Sequence, residues 1–201
     1  MTKDKSLLII GGATASGKTA VALHLATRFG TEILSADSRQ FYREMSIGTA
    51  KPSPGELLRV KHHFIDSLNI TDSYSVGDFE RDALRLLHDL FQKQDIAVLV
   101  GGSGLFLQAV YAGLDEFPVV TEEAKNWVTT GAQTGGLEWL QIQIAQLDPA
   151  YFETVDRQNP ARLRRALEVC KTSGRPYSSF LASSKSERPF KPVFILLEVP
   201  R

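Results

Sequence analysis

From Leu7 to Phe29 the chain reads as an apolar run, Leu7-Leu8-Ile9-Ile10, then Gly12-Ala13-Thr14-Ala15-Ser16-Gly17-Lys18-Thr19, then an amphipathic stretch that begins at Ala20. The middle segment fits G-x-x-x-x-G-K-[ST] with a strand before it and a helix after it, the context that gives the pattern meaning. Few folds satisfy this order, because the strand must deliver the loop to the start of a helix that packs back on the sheet. Successive backbone N–H groups at that helix N-terminus form a concave anion site for phosphate oxygens. Lys18 would reach the terminal phosphate, and the Thr19 hydroxyl would ligate a Mg²⁺ bridging two phosphates. The ligand expected is therefore a polyphosphate or a pyrophosphate.

Further along, the same alternation repeats. Glu32-Ile33-Leu34-Ser35-Ala36 reads as a second short strand delivering Asp37-Ser38-Arg39-Gln40, and Gly30 marks the helix end before it. Phe41 to Pro54 has no clear period and reads as loop, and His62-His63-Phe64-Ile65-Asp66 is a candidate third strand. Ser75-Val76-Gly77-Asp78 fits a capping box, with Phe79, Ala83, Leu86, Leu87 and Leu90 at helical spacing behind it. Ile96 to Val100 is a continuous apolar run, as in a strand buried on both faces, followed by Gly101-Gly102-Ser103-Gly104 and a helical run to Ala112. These units predict an α/β fold of P-loop NTPase type, a mainly parallel sheet flanked by helices.

Beyond Gly113 the pattern changes. Helices are expected at Glu122 to Val128, Leu137 to Leu147, Pro160 to Thr172 and, more weakly, from Pro176, before Pro192 to Val199 returns to strand. Residues 1–114 plus 190–201 are accordingly expected to form the core, and 115–189 an all-helical insertion.

Carboxylates narrow the chemistry. ATP-hydrolysing motors and switch GTPases place an acid at the end of an apolar strand to hold Mg²⁺, but here that strand ends in Val100-Gly101-Gly102. Asp37, after the second strand, is the acid in a comparable position. It is either a base or a metal partner for small-molecule transfer, or a residue that caps the turn. Ser103 lies in a second glycine-rich turn, which can offer N–H groups to phosphate or simply allow tight packing. The adjacent pair His62 and His63 lacks a third ligand and helical spacing, so strand-end packing is the better reading. Cys170 is the single cysteine and falls on an apolar helix face, which excludes a disulfide framework and a cysteine zinc site.

The chain carries 23 basic and 23 acidic residues, which argues against a wholesale electrostatic footprint on nucleic acid. Asp156 to Arg175 departs from that balance, with six basic and two acidic residues, a local +4. Arg162, Arg164 and Arg165 project away from the stripe Leu163, Ala166, Leu167 and Cys170, a pattern suited to phosphate backbone contacts or to a solvated face. No apolar run approaches the ~20 residues of a membrane span, and Met1-Thr2-Lys3-Asp4-Lys5 lacks the apolar region of a signal peptide. A cytoplasmic protein is expected, without membrane contact.

Together these segments resemble one family closely, the tRNA dimethylallyltransferases or tRNA isopentenyltransferases. The resemblance rests on Gly12 to Thr19, Ser35-Ala36-Asp37-Ser38-Arg39-Gln40 with Tyr42, and Ile47-Gly48-Thr49-Ala50-Lys51-Pro52. It continues through Tyr74-Ser75-Val76 with Asp78-Phe79, Gly101-Gly102-Ser103-Gly104-Leu105, and Arg162-Leu163-Arg164-Arg165-Ala166-Leu167-Glu168. Ala13 stands where the family usually has proline, and Ser103 where it usually has threonine. Members continue through a further helical segment past the point matching Arg201, so the resemblance implies a shortened enzyme or a fragment.

The resemblance implies transfer of a dimethylallyl group from dimethylallyl diphosphate to N6 of adenosine 37 in tRNA, with the P-loop holding a pyrophosphate leaving group. It implies Asp37 as base, with Lys18 and a Thr19-bound Mg²⁺ on the pyrophosphate. Ser38, Arg39 and Gln40 would make base and backbone contacts to the tRNA, with Ser103 nearby, and Lys125, Ala161, Arg162, Leu163, Arg164 and Arg165 would hold the anticodon stem-loop. A monomer is expected. The alternatives are a P-loop kinase of small molecules or nucleosides, with Asp37 deprotonating a hydroxyl, and an inactive tRNA-binding fragment.

Overall fold

A computed structural model describes residues 5–181 and 187–198. Met1 to Asp4, the last predicted strand residue Val199 and Arg201 lie outside the described residues. The chain divides into two compact units, Met1–Leu114 with Lys185–Arg201, and Asp115–Ser184.

The first unit holds a five-stranded sheet in the order β3-β2-β4-β1-β5, in which every named pair is parallel. Its strands are β1 (Ser6–Gly12), β2 (Ile33–Ser35), β3 (His62–His63), β4 (Ile96–Val100) and β5 (Lys191–Leu197). This is the expected P-loop NTPase-like architecture. Its helices are α1 (Lys18–Phe29), α2 (Pro54–Arg59), α3 (Val76–Lys93) and α4 (Gly104–Ala112).

Strand side chains alternate between two cores, which accounts for the unbroken apolar runs. Ile10, Ile33 and Val98 pack with Ala22, Leu23 and Ala26 of α1. Leu7, Ile9, Leu34, Ala97 and Leu99 pack with Phe79, Ala83, Leu87 and Leu90 of α3 and with Leu107 and Val110 of α4. α3 begins at the expected capping box: the Ser75 hydroxyl accepts the Asp78 N–H while the Asp78 carboxylate accepts the Ser75 N–H. After residue 187 the chain is fastened to this unit by Arg188, whose guanidinium pairs with Glu80 and donates to the Ala109 carbonyl at 2.7 Å.

Several local expectations are corrected. The third strand shrinks to His62–His63, paired with Ile33 and Leu34. Two six-residue helices escaped the sequence reading, α2 and α6 (Pro149–Thr154). Both are too short to show a hydrophobic stripe.

The second unit is helical. The helices expected at 122–128 and 137–147 run together as α5 (Glu122–Leu147), interrupted at Gly136 with φ 61° and ψ −150°. The first simply continues through a polar stretch, Thr129 to Gly135, where apolar spacing gives no signal. α7 (Pro160–Ser173) has Asn159 as N-cap and Gly174 in the left-handed region after it, while the helix expected from Pro176 is a 3-10 turn, Tyr177–Phe180. Val128, Leu140, Ile144, Leu163, Ala166, Leu167 and Cys170 form its core. Asp148 is buried there: it caps α6 through Tyr151 N–H and accepts the Ser178 N–H and hydroxyl at 2.6 and 2.8 Å.

No helix of the described residues is long and apolar enough to cross a membrane.

Candidate active site

Ligand crevices in parallel sheets form beyond the carboxyl ends of the strands, and this sheet brings three such ends together. Ala36 N–H donates to Val100 O at 2.7 Å, and Gly101 N–H to Ile10 O at 3.2 Å. The P-loop after β1, the Asp37 turn after β2 and the Gly101-Gly102-Ser103 turn after β4 therefore share one edge.

Backbone conformations shape the loop. Gly12 has φ 150°, and a Cβ there would lie 2.7 Å from Leu197 O and 2.9 Å from Ser16 Oγ, so the loop passes against the end of β5 with no room for a side chain. Gly17 at φ 87° opens α1 without a side-chain cap, leaving the first N–H groups of the helix to a ligand. Lys18 folds back over the loop and donates to the carbonyls of Gly12 at 2.9 Å and Ala13 at 2.6 Å.

A cleft of about 410 Å³ is lined by Thr14, Ala15, Ser16, Gly17, Lys18 and Thr19 together with Asp37, Arg39, Gln40, Gly102 and the loop Gly48-Thr49-Ala50. A smaller recess beside it brings in Ser35, Pro52, His62, Val100 and Gly101. Asp37 Oδ1 accepts the Arg39 N–H at 3.1 Å, which fixes the turn. Ser103 Oγ accepts the Ser38 N–H at 3.4 Å, linking the two turns. Gln40 is committed to the protein itself: its Oε1 accepts the Ser35 hydroxyl at 2.9 Å, and its Nε2 donates to Thr49 O and Ala50 O, both at 3.0 Å. It pins the 48–50 loop at the cleft, a lining that no periodicity in the sequence signals.

The donor set fits a hard cation shared with a ligand. The Thr19 hydroxyl, which makes no hydrogen bond among the described residues, and the Asp37 carboxylate line the same cleft. Among the described residues no group of three or more His, Cys, Asp or Glu could cage a metal alone. Mg²⁺ characteristically uses one or two protein oxygens plus phosphate and water, so this sparse set suits it. His62 and His63 pack as expected of a strand end, with His62 Nδ1 2.8 Å from Val60 O and His63 Nε2 2.5 Å from Glu32 Oε2.

Burial holds the His62 pKa below its usual 6.5, against smaller opposing effects of the Val60 carbonyl and Glu56. The unfolded chain then binds this proton more readily than the folded one, so His62 contributes stability above pH 6.5 that is lost as pH falls through its folded pKa. Thermal melts from pH 7.5 to 5 are expected to show a smaller acid-side drop in Tm for His62→Gln than for the parent chain.

Gly101 is required by space. A Cβ there would overlap the Ala36 carbonyl, one residue before Asp37. Gly101→Ala is expected to cost about 3 kcal/mol, the upper end for overpacking because backbone must yield, read as a lower urea midpoint at unchanged slope.

In the helical unit the candidate RNA contacts divide. Ala161, Arg162, Arg164 and Arg165 are exposed on α7, whereas the Leu163 side chain is fully buried in the helical core. Arg165 lies over the Phe117 ring at 5.5 Å, while Arg162 and Arg164 make no ion pair among the described residues. Lys125 is held by Glu122 at 2.6 Å, which pushes its pKa up.

A family model described as IPP transferase matches residues 40–201. The chain is 50% identical over 195 residues to the tRNA dimethylallyltransferase of Christiangramia forsetii, covering 97% of this chain and 65% of the relative. It is 45% identical to that of Flavobacterium johnsoniae, covering 98% and 66%. The chain thus spans just under two thirds of the length of these curated relatives. Among solved structures it resembles the tRNA isopentenylpyrophosphate transferase of Bacillus halodurans, at 35% identity and TM-score 0.54 over 86% of this chain and 57% of that one. A eukaryotic dimethylallyltransferase acting on tRNA, at 23% identity and TM-score 0.75 over 96% of this chain and 48% of that one, shares the fold.

Proposed function

The chain belongs to the IPP transferase family, and from that premise we propose that it transfers a dimethylallyl group from dimethylallyl diphosphate to N6 of adenosine 37 in tRNA, releasing pyrophosphate. The observation that carries this reading is the shared cleft, in which a phosphate-cradling loop faces a carboxylate at the end of a neighbouring strand.

N6 of adenine is a weak nucleophile, because its lone pair is delocalised into the ring. As it attacks the allylic carbon, the carbon–oxygen bond to the diphosphate breaks and the electron pair leaves on pyrophosphate. Asp37 takes the N6 proton, so the amine does not carry a positive charge as the new carbon–nitrogen bond forms. Lys18 and the N–H groups at the start of α1 stabilise the charge growing on the leaving group. Thr19 would hold Mg²⁺, which supplies charge neutralisation on the diphosphate when bound. The adenosine must leave the base stack to reach such a cleft. Ser38, Arg39 and Ser103 are the proposed nucleoside contacts, and Arg162, Arg164, Arg165 and Lys125 the proposed anticodon stem-loop contacts.

The test is incubation of the chain with dimethylallyl diphosphate, Mg²⁺ and unmodified tRNA bearing adenosine 37, followed by digestion and mass detection of N6-prenylated adenosine. Its formation supports the reading. Transfer of labelled γ-phosphate from ATP to a nucleoside, with no prenyl product, would replace it with the kinase.

A further inference from the structure

Both tryptophans of the chain, Trp127 and Trp139, lie in the helical unit and outside every site described above. Their ring centroids are 5.0 Å apart at 62°, and both line an open groove of about 440 Å³ with Asn126, Thr130 and Gly131. Each is partly buried against the helical core, which braces it from behind.

Trp139 is seated by two glycines one helical turn apart. A Cβ at Gly131 would overlap its ring, and one at Gly135 would lie 2.5 Å from its Cβ, so the indole rests directly on the α5 backbone. Asn126 and Thr130 are exposed, and their side chains make no hydrogen bond among the described residues. Lys171 of α7 carries its ammonium 5.2 Å from the Trp127 ring centroid and makes no ion pair among the described residues. It belongs to the 156–175 stretch of net charge +4.

We propose that Trp127 and Trp139 form a stacking platform for an unpaired nucleobase of an RNA strand, with Asn126 and Thr130 at its edge and Lys171 at its phosphate. Aromatic faces accept any base because every base has a π-face, and a neighbouring cation serves the backbone. The Lys171 ammonium beside the Trp127 ring favours an anionic ligand over an apolar peptide. This proposal rests on the tRNA reading for the class of ligand alone, and it concerns a nucleotide other than the one that reacts.

Because the chain has two tryptophans and both lie here, its intrinsic fluorescence reports this groove. The full chain is titrated with single-stranded oligoadenylate RNA while tryptophan emission and the anisotropy of end-labelled RNA are followed in parallel. Saturable quenching that tracks anisotropy is expected. Trp127→Leu should weaken binding about tenfold and Trp127→Phe should restore it. Lys171→Gln should lower the slope of log affinity against log salt by about 0.7. Binding without quenching, unchanged affinity in a folded Trp127→Leu chain, equal quenching by an uncharged apolar peptide, or no oligonucleotide binding would each overturn the platform. The prenyl-transfer assay scores the transfer reading separately, so the two can fail independently.

Discussion

Asp37→Asn is expected to slow prenyl transfer by about 10²- to 10⁴-fold, the range for loss of a positioned general base. Asparagine keeps an Oδ1 that can accept the Arg39 N–H, so the 37–40 turn and the Ser103 contact to Ser38 should survive. Urea denaturation and tRNA affinity should therefore stay near those of the parent chain while single-turnover rates collapse. A variant that loses stability in proportion to rate would make Asp37 a turn residue, the role its sequence position also allowed.

Lys18→Ala is expected to lower the transfer rate about 10²- to 10³-fold and to weaken dimethylallyl diphosphate binding as well, because it removes charge from both the bound and the reacting diphosphate. In the folded chain the ammonium is tethered to the Gly12 and Ala13 carbonyls, so the loop presents a fixed cation. Lys18→Arg should not restore activity, since a planar guanidinium does not match a site that fits a compact ammonium between two carbonyls. Pre-steady-state transfer, with the diphosphate concentration varied, separates the loss in binding from the loss in rate. An Lys18→Ala chain that saturates with dimethylallyl diphosphate like the parent would show that Lys18 acts elsewhere.

The parts of this molecule that could be read from residues are those whose cause is local. The strand, loop and helix around Gly12 to Thr19 are written in consecutive positions, and so are the Ser75–Asp78 capping box and the unbroken run of β4, buried on both faces. Asp37 was legible because a strand end is a definite place in a parallel sheet. The punctuation of α2 and α6 was also present, as Ser53 three residues before Glu56 and as Asp148 before Pro149, but six residues give no second turn of apolar spacing to confirm it. The Gln40 network lay beyond reach. Nothing periodic announces that an amide will span from the Ser35 hydroxyl to the carbonyls of Thr49 and Ala50, because that arrangement exists only once two loops have met. Leu163 shows the converse: its place inside an arginine-rich run suggested a contact surface, while its helical phase with Ala166, Leu167 and Cys170 already assigned it to the core.

The strand order carries a consequence for how the phosphate loop comes into being. β1 lies between β4 and β5, with Ser6 opposite both Ile96 and Lys191, partners 90 and 185 positions along the chain (96 − 6 and 191 − 6). During synthesis the loop emerges 185 residues (197 − 12) ahead of its back wall, the Leu197 carbonyl against Gly12. Contacts so distant in sequence form slowly, because chain entropy is lost before they repay it. A helical unit that collapses early would shorten the effective span to be closed. The nascent chain should thus acquire a sheet edge well before it acquires an anion site, and protection of the β5 amides from hydrogen exchange should be among the last to appear on refolding.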